Sequence, residues 1–133
     1  MQSNNSIFIF SIQVMPQHLD ALKHVNNVVY LQWMQDAAAQ HWNKFVPENL
    51  SNEIVWVAKQ HTINYHAPAF LHEQLEMKTY TGDYTAASWD RHYALTRTSD
   101  NKTIITAKSV WVLLDKQTMK PRRIDETILA VLR

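Results

Sequence analysis

An α+β domain, with an antiparallel sheet of about five strands laid on one long helix, is what this sequence predicts. Three observations carry the prediction. Residues 27 to about 45 have helical periodicity, and no other stretch sustains it for as long. Five stretches rich in β-branched and aromatic residues read as strands, and the breaks between the last four are short, as antiparallel neighbours require. The order of strand, long helix and four strands fills 133 residues, which is the size of one domain.

Residues 1–6, Met-Gln-Ser-Asn-Asn-Ser, are polar and read as a frayed end. Residues 7–14 then alternate into a strand that Pro16 stops. In the helix, Gln32, Asp36, Gln40 and Asn43 share one side, while Leu31, Met34, Ala38, Trp42 and Phe45 recur at steps of three and four on the other. Asn26 or Asn27 is a suitable N-cap. Ala37, Ala38 and Ala39 keep the middle of the helix slim, so that a sheet can approach it closely. Pro47 and residues 48–53 end the helix in a loop. Strands follow at 54–66, 74–81, 88–98 and 103–114, with breaks at Ala67-Pro68, Gly82-Asp83, Ser99-Asp100-Asn101 and Asp115-Lys116-Gln117. This spacing predicts a meander. Residues 124–132 read as a short helix in preference to a last strand.

Composition removes several classes of function. With 13 basic and 12 acidic residues, the chain has no electrostatic footprint for nucleic acid or an anionic membrane. Absence of cysteine removes disulfides, thiolate nucleophiles and cysteine zinc sites, and agrees with a cytoplasmic location. Ser11 and Gln13 interrupt the first apolar run, so neither a signal peptide nor a membrane span is expected. His18, His61, His66, His72 and His92 lack metal-ligand spacing, so no metal or cofactor is expected. His41, in the apolar arc of the helix, reads as a hydrogen-bonded core residue.

One segment is unusually polar for its place. Asp20-Ala21-Leu22-Lys23-His24-Val25-Asn26-Asn27 puts a carboxylate, an imidazole and two amides directly before the long helix. Taken singly, an aspartate there closes a loop, a histidine packs on it, and an asparagine caps the helix. Taken together with Tyr30, Trp33 and the alanine run, the segment resembles the signature of hotdog-fold thioesterases of the 4-hydroxybenzoyl-CoA thioesterase-like group. There Asp-x-x-Gly-His-Val-Asn-Asn opens the central helix. It is also similar to the second hotdog repeat of plant acyl-ACP thioesterases. The likeness continues through Tyr65-His66-Ala67-Pro68, residues 107–115 and Lys120-Pro121. Lys23 stands where the family has glycine. The asparagine that the plant enzymes carry two residues after the aspartate is Leu22 here, and their downstream glutamate falls near Pro68. The aspartate-centred bacterial arrangement is thus the one that this chain can keep.

The resemblance implies hydrolysis of an acyl-CoA or acyl-ACP thioester without a cofactor. Asp20 would attack the carbonyl directly or act as general base on water. His24 and Asn27 complete the catalytic candidates. Backbone amides around Asn27 and Val28, at the positive end of the helix, would face the thioester oxygen. Asn26, Val28, Tyr30, Tyr65 and His66 are the substrate-binding candidates, with the acyl chain in an apolar slot between the helix and a subunit interface. The basic group of Lys120, Arg122 and Arg123 reads as a solvated turn, with the phosphates of CoA as its alternative partner. Trp56, Trp89, Tyr93 and Trp111 suggest more apolar surface than one helix covers, so a homodimer or homotetramer is expected. Two competing functions remain open: a hotdog module that binds acyl-CoA as sensor or scaffold without turnover, and a cone-shaped ligand-binding domain of the nuclear-transport-factor-like type, for which several helices would precede the sheet.

Overall fold

The computed structural model describes residues 5–133. Its elements are β1 (Phe8–Gln13), a 3-10 turn (Pro16–His18), α1 (Asn27–Phe45), α2 (Glu48–Ser51), β2 (Ile54–Tyr65), β3 (Gln74–Tyr84), β4 (Ser88–Arg97), β5 (Lys102–Asp115) and α3 (Glu126–Ala130). Strand alternation decides which sheet face is the core. In β4, Trp89, Arg91, Tyr93 and Leu95 are buried, and the residues between them are half-buried. Leu75, Met77, Thr79 and Thr81 of β3 are buried in step with them, since Met77 pairs with Leu95, Thr79 with Tyr93 and Thr81 with Arg91. α1 lies on this face, and the result is the expected antiparallel sheet on a central helix.

The strand order is β1-β3-β4-β5-β2, so only β3, β4 and β5 form a meander. β2 pairs with β5 from Ile54 opposite Asp115 to Tyr65 opposite Ile105, and not with β3 as sequence order suggested. The reason is the connection after Tyr65. It passes the start of α1, where the Val25 amide donates to the Ala69 carbonyl, and joins β1 where the Val14 amide donates to Glu73. The chain therefore crosses from one side of the meander to the other.

Three local expectations are also corrected. Gly82-Asp83 lies inside β3 as an irregularity between Thr81 and Tyr84, and the turn itself is at 85–87, closed by the Thr85 amide on Ser88 O. A side chain at Gly82 would meet the His92 ring, with 2.6 Å to Nε2, so this glycine serves close approach between strands. The loop at 48–53 contains the single turn of α2. The buried arc of α1 is Tyr30, Trp33, Met34, Ala37, Ala38 and His41, and Phe45 is 45% exposed. Centring the contact on two alanines brings helix and sheet closer, and leaves the bulkier Leu31 and Trp42 on its flanks.

Of the N-terminal segment expected to fray, residues 1–4 lie outside the described residues. Asn5 and Ser6 are anchored: Asn5 Nδ2 donates to Thr81 Oγ1 at 2.7 Å, and the Ser6 amide donates to Leu132 O. The C-terminal segment is helical over Glu126–Ala130, with Asp125 Oδ1 accepting from the Ile128 amide. Ile124, Ile128, Leu129 and Leu132 close a second core cluster over Trp89 and Leu113. Hence the aromatic residues taken as surplus surface are held within one chain: Trp89 and Tyr93 are buried, and Trp56 and Trp111 are half-buried.

Candidate active site

The segment before α1 folds back on itself. The Asp20 amide donates to the His24 carbonyl at 2.8 Å, and the Lys23 amide donates to the Asp20 carbonyl at 3.0 Å. Inside this turn Asp20 Oδ1 accepts from the Leu22 amide at 2.9 Å and the His24 amide at 3.2 Å. These bonds use one carboxylate oxygen for architecture, and Oδ2 has no hydrogen-bond partner among the described residues. The turn is tied down by the Val25 bond to Ala69 and by the Asn26 amide on His18 O. The His24 ring stands edge-on to Phe70 at 5.1 Å.

Asn26 is the N-cap: its Oδ1 accepts from the Val28 amide at 3.1 Å. Val28 therefore cannot offer that amide to a thioester oxygen, which corrects the expectation for it. Among the described residues the Asn27 amide takes no such partner, so at this helix end it is the free donor.

A cleft of about 400 Å³ opens at the end of α1, lined by Asp20, His24, Asn27, Tyr30, Tyr65 and His66, with Val25, Ala67 and Pro68. Six of the eight residues expected from the sequence meet there. Asn26 and Val28 do not line it, because one caps the helix and the other is 71% exposed on its first turn. Tyr30 is 2% exposed, and burial pushes its phenol up to about 12 against the opposing effect of the Ala69 amide. It is thus a neutral wall at neutral pH. Its ring contacts Tyr65 at 5.9 Å, and His66 Nε2 lies 2.8 Å from Thr106 Oγ1. Lys120, Arg122 and Arg123 sit beyond the far end of β5, where Arg122 meets Glu53 at 3.7 Å, so they do not face this cleft. Among the described residues no cluster of His, Asp and Glu is arranged to hold a metal ion. No helix among them is long and apolar enough to cross a membrane.

Residues 14–132 match the sequence profile of the Thioesterase-like superfamily. The chain belongs to this superfamily. The long-chain acyl-CoA thioesterase FadM of Escherichia coli strain K12 is 25% identical over 114 residues, which cover 82% of this chain and 84% of FadM. Slr0204, a 1,4-dihydroxy-2-naphthoyl-CoA thioesterase from Synechocystis, has a TM-score of 0.82 at 15% identity, over 95% of both chains. SAV2348 from Staphylococcus aureus, solved in complex with CoA, has a TM-score of 0.84 at 15% identity, over 98% of this chain and 84% of its own. The fold of this thioesterase is thus the hotdog fold.

Sequence reasoning missed how the far wall of this cleft is held. Arg97 reaches Glu73 at 3.1 Å and the Pro68 carbonyl at 3.3 Å, while Glu73 Oε1 accepts from the Phe70 amide at 2.7 Å. These bonds fix the 68–73 connection. An acidic residue just before β3 and a basic one at the end of β4 were the visible signal, but their pairing depends on how those two strands register.

Lys23 has φ of 62°, the left-handed conformation that glycine adopts freely and lysine does not. The turn thus keeps a glycine's geometry with a lysine in place. Lys23→Gly is expected to stabilise the protein by about 0.5–1 kcal/mol, the relieved strain outweighing the freedom gained by the unfolded chain. Urea unfolding checks this, and a lower midpoint for the variant would refute it.

Proposed function

We propose that this thioesterase hydrolyses an acyl-CoA thioester in the cleft at the start of α1. The observation that carries the reading is that Asp20, Asn27, His24 and His66 line one cleft, while the turn engages only Oδ1 of the Asp20 carboxylate. Hydrolysis needs an oxygen nucleophile and a donor for the charge that develops on the carbonyl oxygen. Asp20 supplies the first, by attacking the carbonyl carbon or by taking a proton from the attacking water; either route requires the same free oxygen. The Asn27 amide, at the positive end of a 19-residue helix, supplies the second. His24 orients the water or the carbonyl, and Tyr30 and Tyr65 line the route of the acyl or pantetheine chain. FadM by its name, and SAV2348 by its bound CoA, support CoA as the thiol carrier; acyl-carrier protein is the second arm of the test. That test is a free-thiol assay over a panel of acyl-CoA and acyl-ACP thioesters, with wild type beside Asp20→Asn.

A second reading has its own support, since two backbone amides on Asp20 Oδ1 are what a purely loop-closing aspartate would accept. In that case the chain binds acyl-CoA without turnover, and the same panel would show saturable binding with no thiol released.

We further infer a homodimer, as the simplest assembly that completes the sheet. β2 is a twelve-residue strand at the sheet's edge, with one side unpaired among the described residues. Val57 and Tyr65 on it are 42% and 50% exposed. Pairing through this edge would cover them and bring two clefts near one interface. Sedimentation at micromolar concentration is expected to show a dimer or a tetramer built from dimers; monomer alone would refute it.

A further inference from the structure

Arg91 is a buried cation that the cleft does not use. It lies on the core face of β4 and is 5% exposed. Its Nη1 donates to His41 Nδ1 at 2.8 Å and to Thr79 Oγ1 at 3.2 Å. Both partners are uncharged: Thr79 Oγ1 donates onward to the His92 carbonyl, and His41, accepting at Nδ1, is the neutral tautomer with Nε2 against Ser6 Oγ. Among the described residues the ion pairs include none with Arg91. A guanidinium without an anion is costly to bury, and here burial pulls its pKa down only to about 10, so it remains charged at neutral pH.

The same side chain lines a cavity of about 200 Å³ between α1 and the sheet, away from the cleft. Its walls are the side chains of Trp42, Trp56, Trp89 and Trp111, with Ala38. Gln35, Ala39 and Asn43, one exposed stripe of α1, mark its mouth. Trp56 Nε1 is a buried donor with no acceptor among the described residues. Among the described residues two groups in one cavity wall are therefore underpaired, Trp56 Nε1 without an acceptor and Arg91 without an anion, and the wall between them is mostly indole, with the Thr81 side chain as a further polar group.

We propose that this cavity is a second ligand site, for an apolar carboxylate whose charged end meets Arg91 and whose body lies among the indole rings. Charge requires the anion, and the tryptophans require an apolar body. An apolar cavity of about 150 Å³ accommodates benzene, so this one admits a body of roughly eight to ten heavy atoms. Ala38 is eleven residues beyond Asn27, about 16 Å along the helix axis. The carboxylate thus comes either from a free acid or from the far end of a long acyl group that itself carries one. The second source rests on the acyl-CoA reading; the site as such does not.

The four indoles supply the readout. Titration of tryptophan fluorescence at neutral pH is expected to show saturable binding of octanoate, about tenfold or more tighter than 1-octanol. Arg91→Met should abolish that preference. Ala39→Phe, which fills the mouth without touching the buried pair, should weaken octanoate binding while leaving the circular dichroism unchanged, and it decides the question if Arg91→Met does not fold. Equal binding of the alcohol and the acid, no binding of either, or octanoate binding unaffected by Ala39→Phe would overturn the proposal. Thiol release from hexadecanoyl-CoA and its ω-carboxy counterpart separates the sources. A lower KM for the ω-carboxy thioester, lost in Arg91→Met, assigns the site to the acyl end; equal KM values alongside octanoate binding assign it to a free acid. Fluorescence reads the site even if no thioester is turned over, so the two readings fail independently.

Discussion

Asp20→Asn is expected to release thiol from its best acyl-CoA at least about 100-fold more slowly than wild type, with KM changed by no more than a few-fold. Asparagine is the informative replacement because of the turn. Its carbonyl oxygen can still accept the Leu22 and His24 amides that Asp20 Oδ1 holds at 2.9 and 3.2 Å, while the group in place of Oδ2 is no longer a base or a nucleophile. Asp20→Ala would remove the acceptor as well, leaving two amides without their partner at a cost of about 1–2 kcal/mol, and would mix a folding defect with a chemical one. Stopped or continuous thiol detection beside an unfolding curve separates the two effects. Hydrolysis by Asp20→Asn within tenfold of wild type would remove Asp20 from the mechanism.

Local rules made much of this site visible in the sequence, and long-range geometry hid the rest. Asp20, His24 and Asn27 were legible because they lie within eight residues, where chain connectivity alone keeps them close. Tyr65 and His66 were reached by resemblance, and the crossing connection is what carries them to the same place. The amide of Val28 was misassigned since the cap that consumes it depends on the rotamer of Asn26, which no spacing rule specifies. The position of β2 was missed for a related reason: sequential strands pair by default, and a single hydrogen-bonded crossing at Val25 and Ala69 reverses that choice. Arg91 illustrates the opposite failure. Its phase with Trp89, Tyr93 and Leu95 placed it inside all along, but charge argues for the surface, and only the presence of His41 across the core and Thr79 on the neighbouring strand explains why phase prevailed.

The same buried pair makes stability depend on pH. His41 is fully buried, stacked on Phe8 at 5.5 Å, and accepts from Arg91; burial first, then the charges of Arg91 and Lys44, lower its pKa from 6.5 to about 4. A depressed folded-state pKa means that the unfolded chain takes up the proton first as pH falls. The contribution of neutral His41 is therefore complete above pH 6.5 and is lost as pH falls through about 4. Over that window the loss amounts to about 3 kcal/mol, a large share of a small domain's stability. His61, also lowered by burial and 2.6 Å from Ser109 Oγ, adds a step of the same sign. His41→Gln keeps an acceptor for Arg91 but cannot titrate, so it should be less stable than wild type at neutral pH and much less sensitive to acid. Urea midpoints followed from about pH 7.5 to about pH 4 should converge for the two proteins. Parallel curves would show that His41 takes up its proton as readily in the fold as in the unfolded chain, and the guanidinium beside it would then need an anion that the described residues do not supply.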